Sequence, residues 1–258
     1  MNQDLHDLHA VVTGGGSGIG AAVARELAQR GARVTLMGRD LAKLQAQRDR
    51  LAAQGRLAVE RCDVADEASV KTAFERAQSN LGVLDILVNN AGQAQTAPFV
   101  KTRLAEWQQM LQVNLTGTFL CTQQVVAGMA ERGFGRIINV ASTASLKGYA
   151  YVAAYCAAKH GVLGLTRALA LEMAKKGVTV NAVCPGYTET EIVEQAVANI
   201  VAKTGRSAEA ARQQLAAGNP QGRLVQPEEV AHTVAWLASR GASAITGQAI
   251  AVCGGEWS

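Results

Sequence analysis

The chain has 258 residues, 48% hydrophobic and 18% charged, enough apolar material for a sizeable core and too little charge for a disordered polymer. Its 25 basic and 21 acidic residues give a net charge of +4 scattered along the chain, without the dense basic block a nucleic-acid footprint needs. The five cysteines form no CxxC or Cys/His cluster, residues 1–9 carry Asp4 and Asp7 and no apolar stretch, and the most apolar region, 149–174, is broken by Lys159, His160 and Arg167; this predicts reduced thiols, no secretory signal, no membrane span and a cytoplasmic setting.

Short β-branched apolar runs at 10–13, 33–37, 57–62, 86–89, 136–140, 178–184 and 249–252 alternate with longer helical patterns. Seven strands separated by helices predict βαβ units and a parallel sheet covered on both faces, a doubly wound α/β fold whose ligands bind beyond the carboxyl ends of the strands. No linker or charge run divides the chain, so residues 1–258 read as a single domain.

The first strand runs into Thr13-Gly14-Gly15-Gly16-Ser17-Gly18-Ile19-Gly20, followed by a helical pattern at 21–30. Glycines there permit a tight turn and let the backbone approach a pyrophosphate facing the free N–H groups of a helix amino end, so this segment predicts nucleotide binding. After the second strand, where an NAD site usually presents an acid to the ribose, the chain has Met37-Gly38-Arg39-Asp40. Gly38 leaves that place open and Arg39 offers a multidentate cation to a 2′-phosphate, which favours NADP(H). Asp40 beside it, and the lack of a positive charge at Ser17, keep NAD(H) open as the alternative.

Asn114 lies in a helical pattern at 106–119, where a polar side chain among apolar neighbours needs a partner. Ser142 follows the fifth strand. Tyr155 and Lys159 stand four residues apart, on one helical face. A free phenol has a pKa near 10, too high for efficient proton exchange at neutral pH, and the Lys159 cation is expected to lower it. Residues 187–225 break the alternation with two helical patterns, 191–203 and 207–217, closed by Gly218-Asn219-Pro220; an insertion of this kind is expected to be a substrate lid. Within it, Lys203, Arg206 and Arg212 read either as attractors for an anionic acyl carrier or as a solvated face. Gln226-Pro227-Glu228-Glu229 starts a helix running to about Ser239. None of His6, His9, His160 or His232 falls in ligand spacing, and no metal is expected.

Together these motifs resemble the short-chain dehydrogenase/reductase family over essentially the whole chain. The resemblance rests on the turn at 13–20, Asp63-Val64, Asn89-Asn90-Ala91-Gly92, Asn114, Ser142, Tyr155, Lys159, and Pro185-Gly186 followed by Thr190. It implies a Rossmann-type fold and a catalytic set of Asn114, Ser142, Tyr155 and Lys159. Cofactor contacts are implied at Gly14, Ser17, Gly18, Ile19, Gly20, Arg39, Asp63, Val64, Asn90, Ala91, Gly92, Tyr155, Lys159, Pro185, Gly186, Thr188 and Thr190. Relatives often carry an aliphatic residue at Thr188, whose backbone could still serve. The stretch 180–255 is similar to 3-oxoacyl-thioester reductases and aromatic polyketide ketoreductases, which implies a ketone or acyl-thioester substrate. The apolar patterns at 106–129 and 149–174, with 244–258, resemble the subunit contacts of relatives and imply a homotetramer. The rival readings are an NAD-dependent 3-hydroxyacyl-CoA or secondary-alcohol dehydrogenase and a non-catalytic nucleotide-binding regulator.

Overall fold

The computed structural model describes residues 4–257. Its centre is a seven-stranded parallel sheet built from β1 (His9–Thr13), β2 (Arg33–Gly38), β3 (Leu57–Arg61), β4 (Ile86–Asn89), β5 (Gly135–Val140), β6 (Val178–Pro185) and β7 (Ala249–Val252). The spatial order is β3-β2-β1-β4-β5-β6-β7. Every strand of the sequence reading is present, with ends differing by one residue at most. The central strands are buried along their whole length, which explains why they read as continuous apolar runs rather than alternating ones.

Two apolar layers sandwich the sheet. On one face lie α1 (Gly18–Gln29), α2 (Leu41–Leu51) and α9 (Pro227–Ala238), which contribute Leu27, Leu44, Val234 and Leu237 to one buried cluster. On the other, α3 (Glu67–Leu81), α5 (Gly117–Arg132) and α6 (Ala153–Met173) supply Phe74, Val125, Met129 and Ala170 to a second. Helices on both faces make the sheet doubly wound. Strand order reverses between β1 and β4, and the crevice at their carboxyl ends is where such a sheet binds ligands.

The segment expected as one helix at 106–119 is interrupted. α4 (Leu104–Leu111) passes through a π-helical turn, Gln112–Thr116, before α5 begins. The apolar pattern from Tyr149 also starts its helix late, at Ala153, because Tyr151 adopts φ +68°, a left-handed conformation that an α-helix does not admit. Residues 187–225 hold α7 (Glu191–Thr204) and α8 (Ala208–Ala216), which share a small apolar cluster of their own around Val193, Val197, Ala211 and Leu224.

Candidate active site

The floor of the crevice is a clamp between the ends of β1 and β4. Thr13 Oγ1 accepts from the backbone N–H groups of Asn90 and Ala91, both at 3.0 Å, and Asn90 Nδ2 donates to the carbonyls of Thr13 (3.0 Å) and Gly14 (3.2 Å). Gly14 follows at φ +65°, in the region that favours glycine, and a Cβ on Gly20 would stand 2.2 Å from the Gly14 carbonyl oxygen. Only a chain without side chains at both positions can turn this tightly into α1. Asn90 therefore shapes the turn from beneath, a role its place in the sequence did not announce.

The turn fits a dinucleotide. Ser17 is the N-cap of α1, yet its hydroxyl makes no capping bond and the first helical turn carries no acid. The N–H groups at Gly18, Ile19 and Gly20 are thus available to an anion at the positive end of the helix. Arg39, at the end of β2, is exposed and has no hydrogen-bond or ion-pair partner among the described residues. Asp40 is not paired with it; its carboxylate caps α2, accepting from Lys43 N at 3.1 Å. Asp63 uses one carboxylate oxygen to fix its own turn through Ala65 N (3.0 Å), and Val64 is buried against Gly117.

On the other side of the crevice, Pro185 ends β6 and Gly186 N donates to Val252 O at 3.0 Å. Thr188, buried, donates its hydroxyl to Gly186 O (3.0 Å), and Thr190 Oγ1 donates to Thr188 O (3.1 Å), so the segment folds back on itself. Thr190 reaches the glycine turn: a Cβ on Gly18 would lie 3.1 Å from its methyl group. Lys43 on α2 forms an ion pair with Glu191 at 3.0 Å, linking α2 to the first turn of α7. Arg212 pairs with Glu189, and Arg206 donates to Gln214 Oε1 at 2.8 Å. Of the three cations in 187–225, Arg206 and Arg212 are therefore occupied locally, and Lys203 is left as an exposed residue.

Between these walls stand the four polar residues of the catalytic reading. Asn114 is 1% exposed and sits in the π turn, with its side chain against the irregular segment that follows β4. Its Nδ2 donates to Gln93 O (2.9 Å) and Met110 O (3.0 Å), and its Oδ1 accepts from Gln93 N (3.3 Å). A Cβ on Gly92 would lie 2.8 Å from Asn114 Oδ1 and 3.7 Å from Lys159 Nζ, which places all three residues together. Ser142, the N-cap of the turn after β5, accepts from Ala144 N at 3.1 Å. Tyr155 occupies the first turn of α6, and Lys159, one turn on, has Nζ 5.7 Å from the Tyr155 ring centre.

The electrostatics correct one expectation. Burial pushes the Tyr155 phenol up to about 12, with Ser142 opposing the shift, and burial pulls the Lys159 ammonium down to about 8. Lys159 was expected to lower Tyr155; instead its Nζ is directed to Val140 O at 2.9 Å, and loss of water around each group is the largest cause of its shift. The arrangement leaves the phenol protonated at neutral pH, ready to give a proton.

One cluster has no precursor in the sequence reading. Glu256, after β7, binds Lys147 Nζ at 3.1 Å and accepts from the Tyr149 hydroxyl. Both partners lie on the loop that begins with Ser142.

A family model described as enoyl-(acyl carrier protein) reductase matches residues 14–256. The chain is 43% identical to the cis-4-hydroxycyclohexanecarboxylate dehydrogenase of Sinomonas cyclohexanicum, covering 99% of this chain and 98% of that one. It is 39% identical to an acetoacetyl-CoA reductase of Rhizobium meliloti, over 96% of this chain and 98% of the relative. Among solved structures, a variant of actinorhodin polyketide ketoreductase with NADPH superposes with a TM-score of 0.93 at 40% identity, covering 99% of each chain.

Proposed function

The chain belongs to the short-chain dehydrogenase/reductase family of NAD(P)-dependent oxidoreductases, and from that premise we propose that it reduces a 3-oxoacyl or related ketone with NADPH. The observation that carries this reading is the grouping of Tyr155, Lys159 and Asn114, with Ser142 beside the phenol, next to an uncapped helix amino end.

Gly14, Ser17, Gly18, Ile19 and Gly20 hold the pyrophosphate, and Arg39 meets the 2′-phosphate. Asp63 and Val64 hold the adenine, Asn90, Ala91 and Gly92 line the cleft, and Pro185, Gly186, Thr188 and Thr190 grip the nicotinamide side. When bound, the nicotinamide supplies hydride to the carbonyl carbon. Ser142 Oγ and Tyr155 Oη donate to the carbonyl oxygen, and Tyr155 passes its proton to that oxygen as negative charge develops, a contribution of about 10²–10⁴-fold. Lys159 Nζ would hold the ribose and, with that ribose hydroxyl, Asn114 and water, would replenish the proton of Tyr155. The names of the acetoacetyl-CoA reductase and the polyketide ketoreductase support a 3-oxo substrate. The segment 187–225, with its separate apolar cluster, serves as the lid.

The homotetramer of the sequence reading is retained, supported by large apolar side chains left exposed on α5 and α6, Phe119 and Leu171. Five free cysteines suit a reducing, cytoplasmic setting. A second reading, oxidation of a secondary alcohol with NAD, is favoured by the 43% identity to a dehydrogenase of a hydroxylated ring. A panel of ketones and 3-oxoacyl thioesters, assayed with NADPH and NADH and in reverse with the matching alcohols, separates the two. Fastest turnover of a 3-oxo compound with NADPH supports the proposal; fastest turnover of an alcohol with NAD supports the second reading, and no turnover at all points to a nucleotide-binding protein without chemistry.

A further inference from the structure

The carboxylate of Glu256 is only 5% exposed, although it carries a charge and lies in the short segment after β7. A charge is held away from water only where its partners compensate it. Here they are Lys147 Nζ at 3.1 Å and the Tyr149 hydroxyl, which also reaches Thr143 Oγ1 at 2.7 Å. Burial and the neighbouring carboxylate push the Tyr149 phenol up, so it remains a donor. Lys147 also donates to the Glu256 backbone carbonyl at 3.4 Å. All three loop residues belong to the segment 142–149, which opens with Ser142.

The same carboxylate touches the opposite wall. A Cβ on Gly186 would stand 3.1 Å from Glu256 Oε2, and one on Gly218 would stand 3.3 Å from Oε1. Tyr187 packs edge-on against Tyr149, ring centres 6.3 Å apart. Glu256 thus packs between the loop carrying the carbonyl-binding hydroxyl, which it binds, and the segment beginning at Gly186, which it touches. Ser142 faces the Tyr155 phenol, and its other bonds, from Ala144 N to its hydroxyl at 3.1 Å and from Ser145 N to its carbonyl at 2.9 Å, lie within its own loop, so its position moves with that loop.

We propose that Glu256 is a positioning residue for the reaction: through Tyr149 and Lys147 it holds the 142–149 loop so that the Ser142 hydroxyl faces the carbonyl oxygen. It touches no reacting atom. The inference rests on the reading of Ser142 given above. Its chemistry requires a carboxylate that accepts from a phenol and an ammonium at once, and a displacement of Ser142 on the order of 1 Å is enough to cost up to about a hundredfold in rate.

The test is a double-variant cycle in the full-length chain with the ketone and reduced cofactor that wild type turns over fastest. Glu256→Gln should lower kcat by about ten- to a hundredfold, with cofactor dissociation constant and folded fraction changed by less than about twofold. In a Ser142→Ala background the same substitution should cost less than about twofold, because the residue it positions is gone. Tyr149→Phe removes the same contact from the loop side and should behave alike, which covers the case that Glu256→Gln fails to fold. Near-wild-type kcat in both single variants, a loss that tracks the folded fraction, or a full multiplicative loss in the Ser142→Ala background would overturn the proposal. If Ser142→Ala alone keeps wild-type turnover, the carbonyl-site reading falls and this inference falls with it; if Ser142→Ala is impaired and Glu256→Gln is not, only the positioning role is lost.

Discussion

Lys159 Nζ donates to the carbonyl oxygen of Val140 at 2.9 Å, joining α6 to the end of β5 two residues before Ser142. The bond fixes the ammonium where it faces the crevice and commits one of its three donors to structure. Lys159→Ala should therefore act twice, leaving Val140 O unpaired in a buried place and removing the cation. We expect a stability loss of about 1–3 kcal/mol, together with a raised cofactor requirement and a lower kcat. Thermal denaturation and cofactor titration of the variant check both, and an unchanged cofactor affinity would contradict the assignment.

The paired shifts of Tyr155 and Lys159 set the pH dependence. With its pKa lowered to about 8, Lys159 is charged below that value and neutral above it, whereas Tyr155, raised to about 12, stays protonated throughout. Reduction needs both protons in place, so kcat/KM for ketone reduction should fall as pH rises through about 8. A profile that climbs steadily from pH 7 to 10 would contradict this.

His9 predicts a stability change of opposite cause. It is fully buried at the other end of β1, with Nδ1 2.8 Å from Gly82 O and Nε2 2.9 Å from Thr35 Oγ1. Burial chiefly, with Arg33 adding and Asp85 opposing, lowers its pKa below 6.5. The unfolded chain then binds the proton that the folded chain refuses, so stability is full above about 6.5 and declines as pH falls from there toward the folded value. Denaturation midpoints measured from pH 7.5 to 5 should show that decline, and His9→Asn should flatten it; an identical slope in the variant would assign the effect elsewhere.

Gly20→Ala tests the turn. Its new methyl would meet the Gly14 carbonyl at 2.2 Å, backbone that cannot swing aside. Overpacking of this kind costs about 1–3 kcal/mol, and the shifted turn should weaken both reduced cofactors. Unimpaired binding of either would show that the turn is not where the pyrophosphate sits.

Arg39 carries the choice of cofactor. Arg39 pairs with no described residue, Asp40 included, so the guanidinium is open to a 2′-phosphate, a charge-assisted bond of about 1.5–3 kcal/mol. Arg39→Ala should weaken NADPH by roughly ten- to a hundredfold and NADH little. Position 38 has room for the reverse change, since a Cβ there would make only ordinary contact with Leu44 at 3.5 Å; Gly38→Asp should move preference toward NADH. Equal losses of both cofactors in the Arg39 variant would contradict this reading.

Much of this was legible before any coordinates. The strands are local patterns of β-branched residues, and the glycine turn and the Tyr155/Lys159 pair are short-range spacings, so periodicity finds them. What escaped depends on contacts between distant positions or on a balance of energies. In the π turn Asn114 bonds Gln93, twenty-one residues away, a contact that no helical pattern records. Glu256 meets Tyr149 across a separation of 107 residues and carries no motif. The expectation that Lys159 lowers the Tyr155 pKa failed because spacing gives the sign of a charge's effect but not the cost of burying both groups.

The central claim is that Tyr155 delivers the proton, and Tyr155→Phe tests it most directly because it deletes one hydroxyl and keeps the ring beside Lys159. The measurement is single-turnover reduction of the best ketone, alongside the dissociation constant of the reduced cofactor. The account predicts a rate at least about a hundredfold lower with cofactor affinity nearly unchanged. A variant that turns over at a near-wild-type rate would contradict it and leave the Tyr155/Lys159 pair as packing alone.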